Sequence, residues 1–400
     1  MTAHRAIRAG FWLSAGWVAY TYAGFPILVT LRGLLRHRPL AGGETLPSIT
    51  VIVPAYNESA IIVEKLANTL ALDYPSELLE VIVVSDGSDD GTNQLVAQFG
   101  QGVRLLALPR LGKNGALTRA GSAANGEVLV FTDADTKLTE RTLLHVAAPF
   151  ADPAVGGVAG ERRHGHESNP RRRAAAQGKR LLRRLMSRAG SVTSAEGQIY
   201  AVRRELFEPV PDNVPDDFWI STRVIASQRR LVYEPEAASY PFAGATVVRR
   251  PFERKVRMTG PLFRSFWLGR DLLNPYEHGF YSFQLISHKL LRRLVFVPFL
   301  GLAVTAPGLR SRGPVYRAVS LAQGLLHGAA LAGLLLRETR LGRLPPLQAA
   351  LAFDRSNVAA AVALIQQLRG MRPRDDMWEP QRAGSRPNAR GSQSPGAPRR

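Results

Sequence analysis

Residues 48–54 read Ser48-Ile49-Thr50-Val51-Ile52-Val53-Pro54, and this run decides the fold. A short stretch dominated by β-branched residues and stopped by proline predicts a buried strand. A helical pattern follows from Glu58 to Leu72. A second apolar run, Leu79 to Ser85, ends in Asp86-Gly87-Ser88-Asp89-Asp90-Gly91, and a helical pattern from Thr92 to Phe99 comes after it. Leu105–Leu108 and Val128–Thr132 predict two more strands, with a helix over Ala116–Ala124 between them. Strands alternating with helices predict an open α/β domain whose sheet is mostly parallel, with right-handed crossovers. Ligands of such sheets bind beyond the carboxyl ends of the strands, where this chain keeps its polar clusters.

Two of those clusters carry chemistry. Asp86 follows a strand and is expected to accept hydrogen bonds from a nucleotide base or ribose rather than pair internally. Asp133-Ala134-Asp135 follows the apolar run Val128-Leu129-Val130-Phe131. Alternation along an extended segment would set both carboxylates on one face. Two hard oxygen ligands there suit Mg²⁺ or Mn²⁺, with diphosphate oxygens completing the shell. A metal so held would offset charge growing on a departing nucleoside diphosphate.

Both ends of the chain are apolar. Gly10 to Leu31 contains no charged residue and carries Trp12, Trp17, Tyr20 and Tyr22, long enough to cross a bilayer core of roughly 30 Å. A cleaved signal peptide is the competing reading, disfavoured by the length, the aromatics and the lack of a small-residue cleavage site. Arg32, Arg36 and Arg38 follow this run, against Arg5 and Arg8 before it, which biases the following domain toward the cytoplasm. Leu294–Leu309, Ala318–Leu336 and Pro346–Leu368 are further apolar runs. The third holds Asp354 and Arg355, which at bilayer depth need a partner or a protein interior. The expected layout is therefore an anchor over 1–40, a catalytic unit over 41–250, interfacial amphipathic helices over 251–289, transmembrane helices over 290–370 and a basic disordered tail over 371–400.

The chain of 400 residues has no cysteine, which excludes a disulfide scaffold, a zinc-thiolate site and a cysteine nucleophile. Its formal charge of +20 suits anionic lipid, a phosphorylated substrate or nucleic acid. No recognisable nucleic-acid module accompanies the arginines, so no nucleic-acid partner is expected. The basic stretch Arg162 to Arg188 contains His164 and His166 without a supporting carboxylate pattern, and is read as a solvated or lipid-facing loop followed by a helix over Ala174–Met186.

Four motifs in order resemble the family 2 glycosyltransferases, in the branch of the cellulose, hyaluronan and poly-N-acetylglucosamine synthases. They are Val53-Pro54-Ala55-Tyr56-Asn57-Glu58, Val84-Ser85-Asp86-Gly87-Ser88-Asp89-Asp90-Gly91-Thr92, Gly112-Lys113-Asn114-Gly115-Ala116-Leu117 and Asp133-Ala134-Asp135. The resemblance covers roughly Ser48 to Gly260. It implies a Rossmann-like nucleotide-diphospho-sugar transferase domain and a nucleotide-sugar donor, uridine-linked by family expectation. It further implies donor contacts from Pro54, Tyr56, Glu58, Asp86, Lys113 and Asp133, and a metal held by Asp133 and above all Asp135. Asp217 corresponds to the family's catalytic base, the second residue of a Glu-Asp pair six positions before an arginine, here Arg223. Asp216 replaces the glutamate and is expected on the acceptor side. The alternative for both is capping of the helix that starts near Phe218.

The resemblance also implies an acceptor segment at Glu196-Gly197-Gln198, with Gly197 in contact, and a basic helix carrying Arg254 and Arg257. Arg257 would face the leaving diphosphate and Arg254 the acceptor. Where processive members carry Gln-x-x-Arg-Trp, this chain reads Arg254-Lys255-Val256-Arg257-Met258, without the Gln and Trp of their acceptor platform. The same helix can also be read as a basic amphipathic helix on the membrane surface. The implied activity is inverting sugar transfer to a polysaccharide or lipid acceptor, by a multi-pass protein of the cell inner membrane with its catalytic domain cytoplasmic. Two other classes are weighed against it. Nucleotidyl transfer on a related fold would need neither Asp217 nor the apolar helices, and an inactive basic membrane-binding protein would not need Asp135.

Overall fold

A computed structural model of the chain describes residues 2–36, 39–41, 43, 45–163, 170–242 and 251–370. His164 and His166 and the tail 371–400 lie outside the described residues. The chain opens on α1 (Thr2–Ala19) and α2 (Phe25–Leu35), joined by a π-helical turn over Tyr20–Gly24. The central unit runs β1 (Ile49–Ala55), α3 (Ile62–Leu70), β2 (Leu79–Asp86), α4 (Thr92–Ala97), β3 (Arg104–Leu108), α5 (Lys113–Ala123), β4 (Val128–Phe131) and β5 (Thr136–Leu138). It continues through α6 (Thr142–Ala147), β6 (Val155–Arg162), α7 (Pro170–Arg188), β7 (Tyr200–Arg203), α8 (Asp216–Ala226) and β8 (Arg230–Pro241).

The sheet order is β3-β2-β1-β4-β7-β6-β8-β5. β1 pairs in parallel with β2, Ile49 opposite Leu79 and Ala55 opposite Ser85, and with β4 on its other side. The expected mostly parallel sheet is thus found in the first half. Beyond β4 the sheet becomes mixed, because β7 runs antiparallel to both β4 and β6 and β5 antiparallel to β8. These later strands were not read from the sequence, since Val155–Arg162 is interrupted by glycines and carries little apolar patterning.

Burial on both faces explains why the first strands read as continuous apolar runs. Ile52, Ile82, Val84, Leu129 and Phe131 belong to one core, facing α5, α7 and α8. Their neighbours Ile49, Val51, Val53, Val81, Val83, Val128 and Val130 belong to the other, facing α3 and α6. Strand alternation alone sorts them into these two layers.

Helix α3 begins at Ile62, later than the expected Glu58, and the reason is a clasp between two loops. Asn57 and Asp89 exchange hydrogen bonds of 2.9 and 3.0 Å, the Glu58 N–H donates to Thr92 Oγ1 at 2.9 Å, and the Ser59 N–H donates to Asp90 at 3.0 Å. Residues bound across to the neighbouring strand's loop cannot also wind the first helical turn. The clasp locks the carboxyl ends of β1 and β2 side by side.

After the sheet come α9 (Pro251–Leu268), α10 (Pro275–His278), α11 (Phe280–Gln284), a π-helical segment over Leu285–Leu291, α12 (Phe296–Leu309), α13 (Pro314–Leu335) and α14 (Pro345–Leu368). Among the described residues, the helices over His4–Leu35 and Pro314–Leu335 are long and apolar enough to cross a membrane. A third crossing is available if Phe280–Leu291 and Phe296–Arg312, bent by 60°, act as one broken span. The apolar run over 346–368 is not among these spans. It forms α14, which packs on α9 and α13, and its Asp354 meets His327 of α13 at 2.9 Å, the partner that a charge in such a bundle requires.

Candidate active site

The site lies at the carboxyl ends of β1, β2 and β4, closed by the first turn of α8. Asp133, Ala134 and Asp135 form a tight turn between β4 and β5, with the Thr136 N–H donating to the Asp133 carbonyl at 3.2 Å. This corrects the sequence argument: a turn, not alternation along a strand, brings the two carboxylates together. Burial and the neighbouring Asp133 charge push the Asp135 carboxyl above its usual range. Two converging hard carboxylates, one of them destabilised by the other's charge, fit a divalent cation such as Mg²⁺ or Mn²⁺. Among the described residues no third His, Cys, Asp or Glu completes a metal cluster, so the chain offers this pair.

Lys65 supports the turn from beneath. It is fully buried and donates to Thr132 Oγ1 at 3.0 Å and to the Thr136 carbonyl at 2.7 Å, bracketing the two aspartates. Burial lowers its ammonium to about 7, and Asp133 and Asp135 offset only part of that. The sequence reading missed Lys65. Its signal was a lysine on the apolar stripe Ile62, Leu66, Thr69 of α3, where a cation has no place unless it serves a polar group.

Lys113 starts α5 and is the hub of the site. Its Nζ donates to Asp133 at 3.0 Å and pairs with Asp216 at 3.3 Å, so one ammonium bridges the 133–135 turn to the first turn of α8. Burial opposes its charge, but the two aspartates outweigh burial and raise the ammonium above its usual range. Gly112, at φ +81°, allows the sharp turn into α5.

Asp86 departs from its expectation. Instead of leaving its carboxylate open to a ligand, the fold pairs it internally: Oδ1 accepts the Leu111 and Gly112 N–H groups at 2.6 and 3.1 Å, and Oδ2 meets Arg110 at 2.6 Å. The loop after β3 folds back over β2, and a buried carboxylate takes the donors that the loop supplies. Arg110 in turn stacks on the Tyr56 ring at 3.4 Å, an arginine absent from the sequence reading. Pro54 lies in β1, in register with Val84 of β2 and one residue before the strand ends at Ala55, and Tyr56 and Glu58 follow in the clasped loop.

Asp216 and Asp217 occupy the first turn of α8, after Pro215. The two part company. Asp216 is buried and accepts from Tyr200 Oη at 3.2 Å while pairing with Lys113. It links Tyr200 to Lys113 within the site. Asp217 is half-buried, and its Oδ1 accepts the Phe218 N–H at 2.8 Å. Burial, then the charge of Asp216, pushes its carboxyl up to about 6. Gly197 lies beside it, close enough that a Cβ there would stand 3.7 Å from Asp217 Oδ2.

Arg254 and Arg257 lie on α9. The Arg254 side chain is outside the described residues. Arg257 is half-buried, two turns before Arg264 on the same helix, and Arg264 donates to the Asp212 carbonyl at 3.1 Å, tying α9 to the loop that leads into α8.

The sequence model of glycosyl transferase family 2 matches residues 50–225, the span that contains the four motifs, Lys65, Gly197 and both aspartates of α8. A beta-monoglucosyldiacylglycerol synthase of Trichormus variabilis is 32% identical over 129 residues, 31% of this chain and 28% of that protein. A poly-beta-1,6-N-acetyl-D-glucosamine synthase of Staphylococcus aureus is 26% identical over 231 residues, 54% of this chain and 55% of that protein. The chain thus spans less than two thirds of the length of these curated relatives. A mannosyltransferase from Pyrobaculum calidifontis, solved with GDP-Man and Mn²⁺, superposes with a TM-score of 0.68 at 26% identity, over 91% of this chain and 100% of that one. Residues 50–225 of this chain form a glycosyl transferase family 2 domain.

Proposed function

We propose that the chain is a membrane-bound inverting glycosyltransferase, taking a sugar from a nucleotide-sugar and passing it to a glycan or lipid acceptor at the cytoplasmic face. The observation that carries this reading is the Lys113 bridge. One ammonium joins the 133–135 turn to the first turn of α8, where Asp217 follows Asp216, and this supports one polar site shared by a candidate metal pair and a candidate base. The domain layout 1–40, 41–250, 251–289, 290–370 and 371–400 goes with it, the apolar helices at both ends supporting membrane attachment.

In this reading, Asp133 and Asp135 hold Mg²⁺ or Mn²⁺, which when bound neutralises charge on the donor diphosphate. The Pyrobaculum mannosyltransferase, solved with Mn²⁺, supports the metal. Lys113 adds positive charge beside the same phosphates, and Arg257 a second cation toward the leaving group. Pro54, Tyr56, Glu58 and Asp86 frame the nucleotide, Asp86 by holding the loop at Arg110, Leu111 and Gly112. Asp217 accepts the proton of an acceptor hydroxyl while that oxygen attacks the anomeric carbon from the face opposite the diphosphate. The new C–O bond forms as the bond to phosphate breaks, and the nucleoside diphosphate leaves with the electron pair. Configuration inverts and no covalent enzyme intermediate is needed. Gly197 keeps the approach to Asp217 open because it has no side chain.

The test is release of nucleoside diphosphate by the detergent-solubilised protein from a panel of uridine and guanosine diphosphate sugars, with Mg²⁺ or Mn²⁺ and membrane lipid extract as acceptor. Turnover of one donor that stops with chelator and in Asp217→Asn supports the reading. Turnover that survives both rejects it.

A further inference from the structure

A cavity of about 420 Å³ lies between α7, the segment 192–196 and the knee of the bent helix pair at 288–292. Its charged and titratable lining is Lys179, Arg183, Glu196, His288, Lys289 and Arg292. Four cations face one carboxylate, and that carboxylate is already taken: Glu196 meets Lys179 at 2.7 Å and Arg183 at 3.8 Å. Burial would raise the Glu196 carboxyl, but Arg183 and Lys179 overcome it and hold it at about 2.

The remaining donors are only partly matched by acidic partners. Arg183 is 5% exposed; its Nη1 is held by Glu161 and the Gly160 carbonyl, while its Nη2 is buried without a partner. Lys289 donates to Ser194 Oγ at 2.6 Å, and Arg292 reaches the His288 ring at 3.5 Å. Among the described residues no carboxylate pairs with either cation. A concave site in which four cations face one carboxylate and a buried guanidinium nitrogen lacks a partner suits an oxyanion with several acceptor oxygens.

Two features give that anion a source and a role. The cavity lies where the apolar helices meet the catalytic unit. α2 passes α7 so closely that a Cβ on Gly33 would stand 2.8 Å from the Leu185 carbonyl, Arg32 donates to the Ala189 carbonyl at 3.3 Å, and Tyr20 hydrogen-bonds Ser287 at 2.5 Å. The cavity also adjoins Asp217. Glu196 is followed by Gly197, which lies beside Asp217, and Lys289 Nζ sits 5.9 Å from the ring of Phe218, the next residue.

We infer that this cavity seats the phosphate of an anionic phospholipid whose head group carries a free hydroxyl, and that this hydroxyl is the acceptor presented to Asp217. The inference rests on the glycosyltransfer reading and narrows its acceptor. A base beside the cavity is useful only to an alcohol, since a phosphate oxygen is already ionised. At about 420 Å³ the cavity has room for more than a phosphate alone. In the step, the head-group hydroxyl gives its proton to Asp217 and bonds to the anomeric carbon, and the nucleoside diphosphate departs with the electrons of the broken bond.

The experiment is calorimetric titration of the solubilised full chain, without donor, with dihexanoyl phosphatidylglycerol, dihexanoyl phosphatidylcholine and inorganic phosphate. The glycerol lipid is expected to bind about tenfold more tightly than either of the others, and Lys289→Gln and Arg292→Gln each to weaken it about tenfold, the loss of one charge-assisted hydrogen bond. Arg312→Gln, an exposed cation away from the cavity, is expected to leave it unchanged. Equal binding of the two lipids, or no response to either cavity variant, overturns the inference. Inorganic phosphate matching the glycerol lipid overturns the lipid assignment. Donor turnover measured in parallel separates the two claims: turnover without binding of the glycerol lipid removes this inference alone, whereas binding without turnover of any donor keeps the cavity's ligand and removes the glycosyltransfer reading.

Discussion

Asp217→Asn is the most exacting perturbation, because one substitution should move activity and stability in opposite directions. The wild-type carboxyl sits at about 6 against an ordinary value near 3.9. Serving as base, it must be ionised, so kcat/KM should rise with pH through about 6 and be roughly tenfold lower at pH 5 than at pH 7. Stability runs the other way. A carboxyl whose folded pKa is raised contributes stability below its unfolded pKa, and that contribution is lost as pH rises through 6. Two units correspond to about 3 kcal/mol by linkage, and solvent screening of a half-buried group reduces this to roughly 1 kcal/mol. Asp217→Asn should therefore remove turnover by about 10³-fold or more while unfolding at a higher denaturant concentration at pH 7 than wild type. Two assays suffice: nucleoside diphosphate release from pH 4.5 to 8, and denaturant unfolding at pH 5 and 7. A flat kcat/KM across pH 5 to 7, or an Asn variant that keeps the acidic limb, would refute the argument.

The other predictions address separate parts of the molecule. Asp135→Ala should lower metal-dependent turnover by about 10²-fold or more and raise the Mn²⁺ concentration needed for half-activation, with vesicle association unchanged in flotation. Glu161→Gln removes the carboxylate shared by Arg180, Arg183 and Tyr233 at 2.9, 3.1 and 2.6 Å and leaves the buried Arg183 with only the more distant Glu196 carboxylate among the described residues, which should destabilise the catalytic unit by about 3 kcal/mol in thermal unfolding. Gly33→Ala forces α2 away from the Leu185 carbonyl, and limited proteolysis should then cut α7 faster than in wild type while α13 and α14 keep their protection.

The site was legible where chemistry is local to a motif. Asp133, Asp135, Lys113 and Asp217 stand within short stretches that follow strands or begin helices, and the fold gathers all four. Asp86 was expected at the end of a strand and stands there, but Glu58 was expected to open a helix and the surroundings of both were unread: the clasp of residues 57–59 to 88–92 delays α3, and the loop after β3 occupies Asp86. Lys65, Arg110, Tyr200 and the cations around Lys289 were missed because their partners lie far along the chain, and a buried polar residue shows its purpose only once those partners are known.

The order of elements through β4, the two-layer core and the polar loops at the carboxyl ends of the strands were determined by the sequence alone, because strand and helix periodicity and the stops at proline and glycine are local properties of the backbone. Only the tertiary structure decided the mixed second half of the sheet, the different surroundings of Asp216 and Asp217, and the cationic cavity between α7 and the bent helix pair. These depend on which distant groups meet at hydrogen-bond distance and on how much water is excluded when they do, and a one-dimensional pattern records neither.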